Sequence, residues 1–211
     1  MALDLSVDVV VGAPLEQCDV SAFFVLPFPE GPFMSKLAVL RPETTPTDVP
    51  APSRRTVRAA YASAISATLG FIPLHSVWAL GIPLWADAGK FRTWYAAGGG
   101  PYLFTLGAMA ATAGVLAVSL VRPWGLVLPS WVPLMAGRRV PPRTLAATAF
   151  TVAAFLLLYT LWAAVLTVIQ WNEPGIFSRW IIVYGIPQFL VWGIGLLVAA
   201  RSYRSRTTPR H

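Results

Sequence analysis

The chain has 211 residues, 56% of them hydrophobic and only 12% charged, with a formal net charge of +7. A soluble domain carries about 25% charged residues, so this chain has too little charge to cover a water-exposed surface. Mean hydropathy is +0.62. The single cysteine, Cys18, excludes a disulfide framework and a cysteine-built metal site.

Residues 1–33 hold five acids (Asp4, Asp8, Glu16, Asp19, Glu30) and no base. The rest of the chain holds all 16 bases and only four acids: Glu43, Asp48, Asp87 and Glu173. A basic balance can signal nucleic acid. Here the bases flank apolar runs instead of forming a patch interleaved with aromatics. The lipid bilayer is therefore the partner the charges fit, and nucleic acid is not. Arginine outnumbers lysine 14 to 2, and alanine, glycine and proline abound, which points to a GC-rich bacterial genome. No basic region opens the chain, and Asp4 and Asp8 interrupt its apolar start, so no cleaved signal peptide is expected. At Met34-Ser35-Lys36 the charge character changes, and the native start is expected there. The rival reading makes residues 1–33 a short appendage that binds a partner. Pro42, Pro46, Pro50 and Pro52, with Thr44, Thr45 and Thr47 among them, cannot build a core. Residues 1–56 are accordingly read as a disordered acidic, proline-rich tail.

A transmembrane helix needs about 20 apolar residues. Four uncharged runs qualify, with spans expected at about 59–86, 101–121, 145–170 and 180–200. The fold class this predicts is an all-α membrane protein, a four-helix bundle over residues 57–203, followed by a basic tail over 204–211. Arg54, Arg55, Arg58, Arg122, Arg138, Arg139, Arg143, Arg201, Arg204, Arg206 and Arg210 fall on one side of these spans, 11 in all, against three on the other: Lys90, Arg92 and Arg179. By the positive-inside rule both termini are cytoplasmic, in a bacterial inner membrane. Trp85, Trp94, Tyr95, Tyr102, Trp171 and Trp180 mark outer interfaces, and Trp124, Trp131 and Tyr203 inner ones. Arg122-Pro123-Trp124-Gly125 reads as a stop signal after the second span.

Gly107, Ala110, Ala111, Gly114 and Ala117 form one stripe of small residues on the second span, which suits close helix packing within the chain or, as the rival, in a homodimer. His75-Ser-Val-Trp78-Ala79 and Tyr159-Thr-Leu-Trp162-Ala163 are faintly alike, as a duplicated hairpin would be.

His75 is the one ionisable group well inside a span, and such groups are often functional. It lies about 18 Å along the helix from Asp87, with Trp78 and Ile82 on its face. Tyr184, Gln188 and Trp192 recur every four residues on the fourth span. Tyr159, Thr167 and Gln170 add polarity to the third, and Asp87 and Glu173 stand at the outer mouths. These groups predict a polar cleft opening outward. His75, Asp87 and Glu173 are its candidate acid–base residues, and Trp78, Tyr159, Gln170, Tyr184, Gln188 and Trp192 its candidate binding residues. Gln188, at comparable depth, is the expected hydrogen-bond partner of His75, with Tyr184 second. Pro73, Pro83 and Pro187 are expected to bend the helices and free backbone carbonyls. No HExxH, DxxD pair, GxSxG or Walker spacing is present, and no metal or cofactor is expected.

The run His75-Ser-Val-Trp78-Ala79-Leu80-Gly81, with the Arg122-Pro123-Trp124-Gly125 stop, resembles a group of small uncharacterised four-span membrane proteins of high-GC, actinobacterial-type bacteria. The likeness covers roughly residues 57–203. It implies a four-helix membrane fold and gives weight to His75 and Trp78, but it supplies no activity. Ile82-Pro83 stands where the group continues with glycines.

The preferred reading is a non-enzymatic integral membrane protein that binds a lipophilic ligand or supports a membrane complex. One alternative is a membrane enzyme acting on an isoprenoid or lipid by acid–base chemistry at His75 with Asp87 or Glu173. A second is a small exporter subunit working as a dimer.

Overall fold

The computed structural model describes residues 49–132, 136–173 and 175–208. The Met34 start and most of the proline-rich segment lie outside the described residues, as does the end of the basic tail. The described chain is helical, without strands; two isolated bridges are its only β pairings. All four expected apolar runs form helices long and apolar enough to cross a membrane.

The first long helix has three parts: α1 (Arg54–Ile65), a π-helical stretch Ser66–Phe71, and α2 (Ile72–Ala79). Ser53 caps it, its Oγ accepting from the Thr56 amide at 3.2 Å. The helix thus starts inside the segment read as tail, and Thr56 is already buried. It also stops earlier than expected, at Ala79. Gly81 takes φ +81°, a left-handed conformation that ends helices, and Pro83 follows. The second long helix runs from Ala88 instead of Pro101. It comprises α3 (Ala88–Trp94), a second π-helical stretch Tyr95–Gly99, and α4 (Gly100–Ser119). Gly98 kinks it at φ +108°. The third is α5 (Pro142–Ile169), with proline in its first turn, where no amide is needed. The fourth, α6 (Arg179–Thr207), carries Pro187 and continues through residues assigned to the tail.

The helices pack in the spatial order α4, α1–α2, α6, α5, and α4 meets α5 only locally. At the arginine-rich end all four contribute to one cluster that includes Ala60, Leu120, Ala149, Leu196 and Tyr203. A middle cluster joins Ala67, Phe71, Ala110, Leu156 and Trp192. The third cluster, at the opposite end, takes Trp78, Phe91, Leu103 and Phe177 and nothing from α5. The second half of α5 therefore leaves Leu158, Leu161, Trp162, Val168 and Ile169 exposed. Trp162 is 52% exposed whereas Trp78 is 4% exposed, so the faint likeness of their segments does not extend to packing.

Small residues set the closest approaches. On α4 the buried stripe is Ala110, Ala113, Gly114 and Ala117, facing α1 and the first π-helical stretch. A Cβ on Gly114 would stand 3.0 Å from Thr68 Cγ2, whereas one on Gly107 would meet nothing within 4 Å. The tighter contact is on α6. A Cβ on Gly195 would come 2.5 Å from the Ala59 carbonyl oxygen, and one on Gly193 3.0 Å from the Leu157 side chain. The stripe expected on α4 is thus a packing surface within the chain, but the fourth helix holds the more demanding glycines.

Candidate functional site

The site begins with the backbone of the first helix. Its π-helical stretch Ser66–Phe71 widens the turn, and Pro73, just beyond it, contributes no amide. Side chains bond three carbonyls of this stretch. Gln188 Nε2 donates to the Ser66 carbonyl at 3.1 Å, Tyr184 Oη to that of Gly70 at 3.2 Å, and His75 Nδ1 faces that of Phe71 at 2.8 Å. The first helix reciprocates. Ser66 Oγ donates to the Gln188 carbonyl at 2.7 Å and Ser63 Oγ to that of Trp192 at 2.9 Å.

These bonds correct the expected His75–Gln188 and His75–Tyr184 pairs. All three side chains are engaged, but each with backbone of the first helix. A ring nitrogen facing a carbonyl carries the proton, so the neutral His75 ring presents Nε2 as an acceptor. Among the described residues Nε2 has no hydrogen-bond partner.

Around His75 the structure places a continuous ladder of rings. His75 stacks on Phe71 with centroids 3.5 Å apart and meets Trp78 edge-on at 5.0 Å. Phe71 touches Phe189 at 5.8 Å and Trp192 at 5.9 Å. Phe189 stacks on Trp192 at 5.6 Å and meets Tyr159 of α5 at 5.2 Å. Trp192 is 5% exposed, yet its Nε1 has no hydrogen-bond partner among the described residues. Trp78 differs, since its Nε1 donates to the Leu84 carbonyl at 2.8 Å. The ladder unites four of the expected site residues, His75, Trp78, Tyr159 and Trp192. It adds Phe71 and Phe189, whose only sequence signal was their spacing, one helical turn before His75 and one residue after Gln188.

Asp87, Gln170 and Glu173 are placed elsewhere. Asp87 caps α3, its Oδ1 accepting from the Gly89 and Lys90 amides at 3.0 and 2.9 Å. The Lys90 amide foremost holds its carboxyl below the usual carboxylate range. Its own amide donates to the Ile176 carbonyl at 2.8 Å, and Ser178 N donates to that of Trp85 at 2.9 Å. These two bonds clip the loops at this end together, over Phe177 packed on Trp78 at 4.4 Å. Trp85 adopts φ 54°, unusual for a non-glycine residue, within this clip. Gln170 ends α5, and Glu173 lies exposed in the loop after it.

At the other end, Tyr203 is buried and donates to the Gly125 carbonyl at 2.8 Å, so it is a fastener and not an interface anchor. No family model, curated protein or solved structure matches the chain.

Proposed function

We propose that the protein is a multi-pass integral membrane protein that binds a lipophilic small molecule against the ring ladder, without catalysis. The observation carrying this reading is the pair of ring nitrogens beside Phe71 without hydrogen-bond partners among the described residues, the accessible acceptor Nε2 of His75 and the buried donor Nε1 of Trp192. An unpaired polar atom in an apolar surrounding is costly and calls for an explanation. A molecule with an apolar body and one hydroxyl supplies it at His75, because the body stacks on aromatic rings while its polar group donates to the accessible ring nitrogen. The acid–base alternative draws no support from this geometry, since Asp87 is engaged in capping α3 and Glu173 lies in an exposed loop.

The test is to extract what co-purifies with the full chain and compare it with His75→Phe, which keeps a ring against Phe71 and removes both ring nitrogens, and with His75→Gln, whose amide keeps both a donor and an acceptor. Glutamine can still donate to the Phe71 carbonyl, so the fold, the melting temperature and most of the occupancy should hold in His75→Gln. Loss of the acceptor in His75→Phe should cut occupancy about tenfold, the worth of one hydrogen bond of roughly 1–1.5 kcal/mol. Identical lipid and metabolite profiles from the wild type and His75→Phe would sink the reading.

The same proposal places both termini in the cytoplasm, on the strength of the 11 arginines at one end against three bases at the other. A reporter fused at the C-terminus should register as cytoplasmic, and an extracytoplasmic signal would overturn the orientation. The proposal includes kinship with small four-span membrane proteins of high-GC bacteria, which His75–Gly81 and Arg122–Gly125 suggest.

A further inference from the structure

The arginine-rich end of α6 holds a feature that the ladder does not use. Phe150 of α5 and Leu197, Val198, Arg201 and Arg204 of α6 line an open groove of about 560 Å³, with Ser205 and Thr208 toward the helix end. On α6 these positions recur at steps of three and four, so they stack along one helix face. The face is apolar toward the middle of the helix and basic at its end.

Most informative is what the arginines here are bonded to. Arg206 donates to the Leu120 carbonyl at 2.8 Å and the Pro50 carbonyl at 3.2 Å, and it stacks on Tyr203. Arg122 donates from Nε to the Tyr61 hydroxyl at 2.8 Å. Both are fasteners. Arg201 and Arg204, by contrast, are exposed, and their guanidinium groups make no hydrogen bond or ion pair among the described residues. The only acids among the described residues, Asp87 and Glu173, lie in the loops at the opposite end. Ser205 and Thr208 spend their hydroxyl protons on the Ser202 and Arg204 carbonyls, at 2.9 and 2.8 Å. The groove therefore combines an apolar floor with two guanidinium groups that no described residue compensates.

We propose that this groove holds an anionic phospholipid of the adjoining leaflet, with its phosphodiester between Arg201 and Arg204 and an acyl chain along Val198, Leu197 and Phe150. Guanidinium donors match phosphate oxygens in pairs, and basic pockets between membrane helices select acidic headgroups. Leu197 and Arg204 are separated by about 10 Å of helix rise, the offset between the upper acyl carbons and the phosphate. A zwitterionic lipid brings its own cation and leaves one guanidinium uncompensated. The inference rests on the membrane reading alone and is independent of any molecule on the ring ladder.

Native mass spectrometry of the full chain in neutral detergent tests it, with phosphatidylglycerol and phosphatidylcholine of identical acyl chains as probes. The wild type should bind phosphatidylglycerol about tenfold more tightly. That preference should disappear in Arg201→Gln/Arg204→Gln and survive in Arg54→Gln/Arg55→Gln, which removes two exposed arginines from the start of α1. Melting temperatures of the lipid-free variants should match the wild type, because none of the four guanidinium groups has a partner to lose among the described residues. A preference that persists without Arg201 and Arg204, or falls equally without Arg54 and Arg55, overturns the site. Displacement of phosphatidylglycerol by equimolar inorganic phosphate would make it a free-phosphate site and overturn the lipid assignment.

Discussion

Replacing Gly195 with alanine is expected to lower the unfolding free energy by about 3 kcal/mol, at or above the top of the usual range for overpacking. The added Cβ would stand 2.5 Å from the Ala59 carbonyl oxygen and 2.9 Å from Ser63 Cβ. Neither can yield, because one is helix backbone and the other is the fixed root of a side chain. The α1–α6 pair must therefore separate. Separation stretches the Ser63–Trp192 and Ser66–Gln188 bonds, at 2.9 and 2.7 Å, and opens the contact that buries Ala60, Leu196 and Ala199. Membrane helices associate by close packing and such bonds, with no hydrophobic drive to compensate. Gly107→Ala is the control. Nothing lies within 4 Å of its Cβ, and alanine favours helix over glycine, so stability should hold or rise slightly. Thermal unfolding in a mild detergent reads both, and equal melting temperatures would mean that α1 and α6 do not pack at Gly195.

The contrast between these two glycines also marks where sequence reasoning reached. Four apolar runs were plain because a bilayer demands length and apolarity, and both are linear properties of a chain. Small residues at helical spacing marked α4 as a packing helix for the same reason. Which glycine is crowded depends on the rotation of each helix toward its neighbour. Gly107 shares a spacing with Gly114 but not a neighbour, and on α6 Gly195, Ala199 and Ser202 recur at i, i+4 and i+7 without showing which of them meets backbone. Helix ends suffered similarly. Arg54 extends the first helix into the expected tail because Ser53 caps it, and Ala79 ends it because Gly81 turns left-handed.

The expected partner of His75 failed for a more instructive reason. Depth in the membrane ranks candidate pairs along one axis, and Gln188 was well matched to His75 on that axis. Backbone carbonyls compete for the same donors, and depth does not rank them. Pro73 and Pro187 lie within helices, whereas Pro83 falls in the turn after Ala79. Tyr184, Gln188 and His75 each bond backbone of the first helix, and the ring nitrogens left over are what make the ladder a candidate site.

Gly125→Ala should cost about 3 kcal/mol or more, and Tyr203→Phe about 1 kcal/mol, with the two costs failing to add. The Arg122-Pro123-Trp124-Gly125 segment explains why. After α4 the chain turns through a short 3-10 helix, Pro123–Gly125, which folds back under the helix end. A Cβ on Gly125 would overlap the Ser119 carbonyl oxygen, so only glycine fits beneath it. The same turn presents the Gly125 carbonyl to the buried Tyr203 hydroxyl and holds Arg122 against Tyr61, which it also overlies at 5.6 Å from the ring centroid. Three of the four long helices, those carrying Tyr61, Ser119 and Tyr203, are thus tied at one turn. Alanine at position 125 displaces the turn and leaves the Tyr203 hydroxyl buried without its acceptor. Tyr203→Phe removes only that hydroxyl and keeps the ring in place. Once the turn has moved, the hydroxyl has no bond left to lose, so the double variant should be no less stable than Gly125→Ala alone. Strictly additive costs, or a Gly125→Ala protein as stable as the wild type, would show that the turn does not fasten the helices and that the motif needs another explanation.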